Sequence, residues 1–438
     1  GRAGLATAPR APPTAAAPGP GRLSLTKRVS DSRPLLIKEI ANEVASRIEA
    51  GHDVVNLSQG APCLPIFKEA EERMVEYIRG WHLPYSPVAG IYSVRRTAAR
   101  FVNCYYGLVG AYAAENTIIT AGGVQACFLA LAMVIESSQD VVLGALPAYS
   151  LYQAQAAYFG GTFAAVPGEA AGSMTAESLR AAFSEQRQAG RRVRAVVLCT
   201  PNNPTGSVMT EAEAQELALV LEEELDRQPD GFLVVLDEVY LGVEQGSHVS
   251  LLQTASERLR RRCCLVLSAS KGLGAMPGAR AAWLTVGDEE LVPEMVKVQS
   301  CASANASTVA QVGLEASLTY LLDDPGAMRR VYAYYAERTK LVAEGLNALA
   351  RKHGLGGDVC ARPQGTFYVW ADFSALAGVA SDLELQRRLL DLGVAAVPGS
   401  AFSMPPEAKL LRLSCGREDV AELRRALGVF DAALAELS

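Results

Sequence analysis

The chain has 438 residues, of which 50% are hydrophobic, and its 41 basic and 47 acidic side chains give a net charge of −6. This length is too great for one small core and predicts two domains, or one large domain with a lobe. The mild acidity argues against nucleic acid or an anionic membrane as the main partner, and no apolar run is long enough to span a bilayer. These features indicate a soluble globular protein.

Cysteine and histidine usage narrows the chemistry further. Nine cysteines occur without a CxxC pair, which is typical of a reducing compartment. None of the four histidines has a partner at metal-ligand spacing, so we expect no metal site. Residues 1–22 are rich in Ala, Pro, Gly and Arg and predict a disordered tail, with a transit-peptide remnant as the alternative. We therefore expect a cytoplasmic protein, or an organellar one if the tail is such a remnant.

From Thr117 onwards, short apolar runs alternate with longer helical patterns. Uniformly apolar runs are typical of strands buried on both faces, and the alternation indicates a mostly parallel sheet covered by helices. The predicted strands are Thr117–Thr120, Val141–Gly144, Thr162–Val166, Val193–Cys199, Phe232–Leu236 and Cys264–Leu267. The predicted helices are Val124–Glu136, Ser150–Phe159, Ala176–Gln188, Glu211–Arg227 and Leu251–Arg260.

The pattern changes after residue 324. Apolar positions at helical spacing predict one long helix over Pro325–His353. Strands near Thr366–Trp370, Val394–Val397 and Lys409–Leu413 and helices near Leu383–Leu392 and from Glu418 indicate a smaller α+β domain. We therefore predict an α/β fold with a tail at 1–22, an N-terminal part of the small domain at 23–70, a large domain at 71–324 and a small C-terminal domain at 325–438.

Polar or glycine-rich loops follow the predicted strands, and in an open α/β sheet ligands bind at these strand ends. A Gly-Gly pair ending at Gly123 opens a helix whose N-terminus suits a phosphate, with a tight turn as the alternative reading. Tyr149 could stack on a flat ring or pack in the core. Asn203 lies in a turn bounded by two prolines and is expected to point an amide into the crevice, with a purely structural turn as the alternative.

Two later loops carry charged groups. Asp237 ends an apolar strand, where a carboxylate is costly to bury without a partner. A helix N-cap is the alternative role, but Tyr240 three residues on favours a shared ligand. The next loop contains two serines and Arg280, which suit a phosphate, and Lys271, which can form an imine if its pKa is lowered. An exposed lysine in a flexible loop is the alternative. Together these residues suit a phosphorylated pyridine aldehyde.

In this order, the motifs GGVQ, PAY, NNPTG, DEVY, SASK and GAR resemble those of the class I/II aminotransferase family, which are fold-type I pyridoxal phosphate enzymes. The resemblance extends from about residue 30 to the end. It implies a large domain in which helices sandwich a mostly parallel sheet, a smaller α+β domain, and pyridoxal 5'-phosphate as cofactor.

The resemblance also implies roles for individual residues. Lys271 matches the Schiff-base lysine, which moves the proton between the substrate Cα and the cofactor C4′. Asp237 matches the carboxylate that keeps the pyridine nitrogen protonated. Tyr240 and Asn203 match the residues that hydrogen-bond the ring O3′, and Tyr149 matches the aromatic residue that stacks on the ring.

A second group of matches surrounds the cofactor phosphate. Ser268, Ser270, Arg280 and the backbone at Gly123 and Val124 resemble the phosphate-binding residues. One departure concerns the interval from Lys271 to Arg280, which is one residue longer than is usual in the family. The resemblance still implies that Arg280 lies at the phosphate.

The remaining matches concern substrates and the partner subunit. Tyr85 resembles the tyrosine that reaches the phosphate of the other subunit, which implies a homodimer with shared active sites. Gly60 resembles a glycine that lines the substrate pocket, and Asn203 also belongs to this pocket. Arg412 resembles the arginine that clamps the substrate α-carboxylate, with a surface arginine on an edge strand as the alternative. No residue is identified that binds an acidic side chain.

The predicted activity is transfer of an amino group from an L-amino acid to a 2-oxo acid. The alternative is another pyridoxal phosphate reaction on the same scaffold: a β- or γ-lyase, an aminocyclopropane-carboxylate synthase, or a cyclase or oxidase of specialised metabolism. A third hypothesis is a non-enzymatic protein: a degenerate scaffold, or a regulator such as a transcription factor in which this fold is fused to a DNA-binding head. The complete set of site residues argues against a degenerate scaffold. Fewer than about 60 residues precede the resemblance and they contain no helix-turn-helix pattern, which argues against a fused regulator.

Overall fold

The computed structural model describes residue 23 and the ranges 25–30, 34–80, 82–168, 172–244 and 248–437, so the predicted tail at 1–22 lies outside the described residues. None of the described helices is long and apolar enough to cross a bilayer. Short 3-10 helices in these ranges occupy Ala114–Asn116, Glu289–Leu291, Gly399–Phe402 and Pro406–Ala408. The α-helices in the described ranges are α1 Lys27–Ser30, α2 Leu36–Glu49, α3 Lys68–Arg79, α4 Tyr92–Tyr105, α5 Gly123–Ala132, α6 Leu151–Tyr158, α7 Ala176–Gln188, α8 Glu211–Arg227, α9 Leu251–Thr254, α10 Glu257–Arg260, α11 Val292–Ala302, α12 Thr308–Asp323, α13 Gly326–Lys352, α14 Asp382–Asp391 and α15 Val420–Leu437.

The strands in the described part of the chain are β1 Val55–Asn56, β2 Thr117–Thr120, β3 Asp140–Ala145, β4 Thr162–Val166, β5 Arg192–Cys199, β6 Leu233–Asp237, β7 Cys263–Ser268, β8 Ala282–Val286, β9 Tyr368–Asp372, β10 Val394–Ala395, β11 Val397–Pro398 and β12 Leu410–Ser414. These described strands form three sheets. One has seven strands in the order β2-β8-β7-β6-β5-β3-β4, one has three strands in the order β11-β12-β9, and one pairs β1 with β10.

The seven-stranded sheet is mostly parallel, as predicted. Strands β3 to β7 pair in parallel, whereas β8 runs antiparallel to both of its neighbours, β2 and β7. Alternate residues of each central strand enter two different cores: Leu236 and Leu265 pack on one face, and Val235 and Val266 on the other. Both faces are therefore covered, which explains why these strands read as continuous apolar runs. The predicted α/β fold class is confirmed.

Local signals explain where several helices begin. Helix α8 starts with a capping box in which Thr210 Oγ1 accepts from the Glu213 amide and the Glu213 carboxylate accepts from the Thr210 amide at 2.7 Å. The long helix predicted at 325–353 is α13, which has 27 residues and carries basic residues in its last turn, where they complement the helix dipole.

Three predicted elements were wrong in detail. The helix predicted at 251–260 is two short helices, because Ala255 is extended and the Ser256 side chain caps α10 by accepting from the Leu259 amide. The helix predicted to end at residue 136 ends four residues earlier. The strand predicted at 394–397 is divided, because β10 pairs with β1 while β11 pairs with β12 in another sheet.

Residues near the two chain ends pack together. The parallel pairing of β1 with β10 joins Val55 to Val394. Helix α2 buries Ile40 and Val44 in a small core that also contains Leu390 and Phe402. This contact places α2 beside the C-terminal elements and next to the carboxyl end of the large sheet. The domain boundaries given above stay a prediction.

Candidate active site

The carboxyl ends of the large sheet's central strands open on a cavity of about 500 Å³. Twelve of the thirteen predicted site residues line it, although they are spread over more than three hundred positions of the sequence. Parallel strands all present their carboxyl ends at the same sheet edge, which is why the loops meet here. The predicted residues in the wall are Gly60, Gly123, Val124, Tyr149, Asn203, Asp237, Tyr240, Ser268, Ser270, Lys271, Arg280 and Arg412.

Lys271 lies three residues beyond β7 and reaches across the cavity. Its Nζ donates a hydrogen bond to the Gly60 carbonyl oxygen. Burial lowers the pKa of Lys271 to about 7, and the nearby charges of Arg412, Arg280 and Lys38 act in the same direction. A large share of this amine is therefore neutral at physiological pH, which is the form that acts as a nucleophile or a base.

Asp237 is the last residue of β6 and is buried, with 6% of its surface exposed. Its Oδ2 accepts a hydrogen bond of 2.5 Å from the Tyr152 hydroxyl and lies 3.9 Å from Cys127 Sγ. Burial raises the pKa of Asp237, whereas the bonds from Tyr152, the Val239 amide and Cys127 lower it. These bonds offset part of the desolvation that disfavours the carboxylate.

One corner of the cavity suits an anion. This anion corner consists of Gly123, Val124, Ser268, Ser270 and Arg280. Helix α5 begins at Gly123, so its first amides have no intrahelical acceptor and its dipole favours negative charge. The corner thus combines backbone amides, two hydroxyl groups and a guanidinium group, the donor set that binds phosphate.

The backbone around this corner is tightly fitted. At Gly122, which has φ +94°, a Cβ atom would collide with the Arg280 guanidinium group. Arg280 donates to the Pro277 carbonyl at 2.9 Å and to the Ala121 carbonyl at 3.3 Å. The long loop from Lys271 contains two left-handed residues, Ala275 at φ +52° and Arg280 at φ +60°. These turns bring Arg280 into the cavity despite the additional residue.

The opposite wall is built around Arg412 in β12, which is 2% exposed. Its Nη1 donates to Asn203 Oδ1 at 3.1 Å and its Nη2 to the Ser58 carbonyl at 2.7 Å, while its Cζ lies 4.3 Å from the Tyr368 ring centroid. Within the described chain, its buried Nε has no hydrogen-bond partner. A buried cation of this kind is well suited to a carboxylate ligand.

Tyr85 is the one predicted site residue outside the cavity wall. Its side chain is 93% exposed in this single chain.

The residues of the cavity wall that sequence reasoning missed include three with polar groups that bear on the chemistry: Lys38 in α2, Tyr152 in α6 and Tyr368 in β9. The Tyr368 hydroxyl lies 2.7 Å from that of Tyr240. Tyr152 comes three residues after Tyr149 in the sequence, and the hydroxyl group of a buried tyrosine needs a polar partner. The sequence therefore contained a signal that Tyr152 also belongs to the site.

Comparison with known proteins shows the family to which this chain belongs. The family model described as aminotransferase class I and II matches residues 52–430. The chain therefore belongs to this family, whose members use pyridoxal phosphate, and it is an aminotransferase. The predicted family and the predicted class of enzyme are confirmed.

Particular relatives cover most of the chain. The aspartate/prephenate aminotransferase of Thermus thermophilus is 27% identical over 380 residues, which span 86% of this chain and 91% of the relative. The aspartate aminotransferase of Bacillus subtilis is 27% identical over 402 residues, spanning 89% and 94%. The solved structure of Thermus thermophilus aspartate aminotransferase with maleate matches with a TM-score of 0.82 and 27% identity and covers 94% of this chain and 100% of that one.

Proposed function

We propose that this aminotransferase binds pyridoxal 5'-phosphate in the cavity and moves an amino group from an L-amino acid to a 2-oxo acid. The observation that carries the proposal is the convergence of Lys271, Asp237, Arg412 and the anion corner on one cavity. The chemistry of these groups fits the cofactor: a carboxylate for a protonated ring nitrogen, an amine for an aldehyde, and a donor-rich corner for a phosphate.

The remaining walls fit a flat ring. Tyr149 would stack on it, and Tyr240 and Asn203 would hydrogen-bond its hydroxyl oxygen. Burial raises the pKa of Tyr149 to about 12, so its hydroxyl stays protonated at physiological pH. Tyr152 also supports the proposal, because its hydroxyl group donates a hydrogen bond to the Asp237 carboxylate and holds it in place.

When bound, pyridoxal phosphate supplies an electron sink for the substrate Cα and a carrier for the amino group. Arg412 would hold the substrate α-carboxylate through its two terminal nitrogens, which fixes the direction of the Cα–H bond. Lys271 Nζ would accept the Cα proton, and the lowered pKa of Lys271 matches that role as a general base. Gly60, whose carbonyl oxygen accepts from Lys271, would keep the amine pointing into the cavity.

The proposal includes a homodimer. Tyr85 lies outside the cavity of its own chain and is 93% exposed, an uncommon environment for a large aromatic side chain. A second copy would cover this residue and receive its hydroxyl group at the anion corner.

We further propose a cytoplasmic location, or an organellar one if residues 1–22 are a transit remnant. All nine cysteines are free thiols, which supports a reducing compartment. Burial raises the pKa of Cys127 and Cys264, so these thiols stay protonated and unreactive at neutral pH.

A half-reaction tests the proposed activity. The purified protein is loaded with pyridoxal phosphate and mixed with a panel of single amino acids without a 2-oxo acid. We expect one equivalent of 2-oxo acid per site, a matching amount of pyridoxamine phosphate, and return of the original absorbance when a 2-oxo acid is added. Release of ammonia over many turnovers with an amino acid alone would instead identify an eliminating or oxidising enzyme.

A further inference from the structure

Cationic side chains outnumber anionic ones among the residues that line the cavity. Four cationic side chains face it, and among its described lining residues Asp237 is the single carboxylate. The proposed function gives partners to three of the cations, because Lys271 and Arg280 act on the cofactor and Arg412 on the substrate α-carboxylate. The fourth, Lys38, has no assigned partner. An excess cation in a ligand cavity favours a further anionic group on the ligand.

Lys38 lines the same cavity from helix α2. Helix α2 presents Ile37, Lys38 and Ala41 to the cavity, and these positions lie on one side of the helix. The Lys38 charge acts on Lys271, since it contributes to the lowered pKa of that amine. With the described part of the chain, Lys38 forms no ion pair and no hydrogen bond, so its ammonium group remains available to a ligand.

The surroundings of Lys38 are apolar. Ile37 and Ala41 line the cavity beside it, and Val124, another lining residue, keeps 43% of its surface exposed. Lysine has a flexible four-carbon stem, so its ammonium group can enter a pocket to pair with a carboxylate or remain in water at the mouth. A pocket of this composition can hold a charged side chain in one half-reaction and an apolar one in the other.

We propose that Lys38 binds the distal carboxylate of a dicarboxylic 2-oxo acid, and that the apolar wall beside it accepts an uncharged side chain from the other substrate. This inference rests on the proposed function. It supplies the residue for an acidic side chain that the sequence did not identify.

A matched pair of acceptors tests the role of Lys38. 2-Oxoglutarate and 2-oxopentanoate have the same five-carbon chain and differ in whether it ends in a carboxylate or a methyl group. In Lys38→Met we expect kcat/KM for 2-oxoglutarate to fall about 10- to 100-fold, the effect of losing one hydrogen bond to a charged group. The value for 2-oxopentanoate should stay within about twofold, since the wall that it contacts is kept. Lys38→Arg keeps the charge and should retain most of the preference.

The control variant is Lys68→Met, which removes a lysine that is 81% exposed and pairs with Glu72 on helix α3. This variant should leave kcat/KM unchanged for both acceptors. Equal losses for both acceptors in Lys38→Met would show a general structural role, and an unchanged value for 2-oxoglutarate would place the distal carboxylate elsewhere; either result overturns the inference.

Calorimetry separates this inference from the proposed function. Wild-type protein should bind glutarate more tightly than pentanoate, and Lys38→Met should lose that difference. If the wild type transfers no amino group to any acceptor, the proposed function fails, while the glutarate–pentanoate comparison still decides the role of Lys38.

Discussion

The two walls of the cavity are built in different ways. The sheet side, defined as Gly123, Asp237, Ser268, Lys271 and Arg280, comes from strand ends of one sheet between residues 120 and 280. The terminal side, defined as Lys38, Gly60, Tyr368 and Arg412, comes from segments near the two ends of the chain. The sheet side is therefore set by a single topology, whereas the terminal side requires contacts between residues more than three hundred positions apart.

This difference assigns separate tasks to the two walls. The sheet side contains the buried carboxylate, the amine and the anion corner, which suit a group that stays in place. The terminal side contains the buried guanidinium group of Arg412 and the Lys38 ammonium group, which has no ion pair within the described residues. These groups suit carboxylates that bind and leave in each reaction cycle. Changes on the sheet side should therefore alter cofactor chemistry, and changes on the terminal side should alter substrate affinity.

The largest effect is expected at Lys271. In Lys271→Ala we expect kcat to fall by more than about 10³-fold, because a positioned general base alone contributes about 10² to 10⁴ and the amine is also the cofactor anchor. Affinity for a carboxylate inhibitor such as glutarate, measured by calorimetry, should change little, since Arg412 and Lys38 are kept. Lys297→Ala, at a lysine paired with Glu294 on the surface, is the control. Turnover near that of the wild type would refute the role given to Lys271.

A change on the terminal side should produce the converse result. Arg412→Lys replaces two fixed donors, one to Asn203 and one to the Ser58 carbonyl, with a single point charge. We expect KM for the amino acid to rise about 10- to 100-fold, while the pyridoxal phosphate content read from absorbance stays at the wild-type level.

The control for this variant is Arg424→Lys, at an exposed position of α15. Loss of cofactor from Arg412→Lys, with no change of KM in the protein that remains loaded, would mean that the two walls do not divide the work in this way.

The same contrast explains what the sequence could predict. Most of the sheet-side residues follow apolar strands, so the strand pattern and the strand-end rule were enough to bring Asp237, Lys271 and the anion corner together. Arg412 and Gly60 were found through family resemblance, because nothing local in β12 or in the loop after β1 points to a shared cavity. All of these residues line the same cavity, and their roles remain proposals.

What the sequence did not reveal depends on tertiary contacts. Lys38 has the exposure pattern of an ordinary helical lysine, and only the packing of α2 against Leu390 and Phe402 turns it towards the cavity. Strand β8 follows the Lys271 loop directly, and its antiparallel direction is set by pairing with β2 and β7 rather than by its own residues. Strand pairing of this kind is decided by neighbours that are distant in the sequence.

The smallest effect is expected at Tyr152, whose hydroxyl group donates to the Asp237 carboxylate of the sheet side. Asp237 must be ionised for its proposed role, and burial raises the pKa of Asp237 while the 2.5 Å bond from Tyr152 lowers it. Tyr152→Phe removes that bond, so the pKa of Asp237 should rise further. Activity is present above this pKa and lost as pH falls through it, so the acidic limb of kcat/KM should move to higher pH.

Other titratable groups beside Asp237 do not interfere with this measurement. Burial raises the pKa of both Cys127 and Cys199, so these thiols remain protonated throughout the acidic range. Tyr158→Phe, in the same helix but partly exposed, is the matched control and should leave the pH profile unchanged. An acidic limb at the same pH in Tyr152→Phe and the wild type would show that Asp237 keeps its charge without the tyrosine. The remaining donors to this carboxylate, the Val239 amide and the Cys127 thiol, would then be sufficient to keep it ionised.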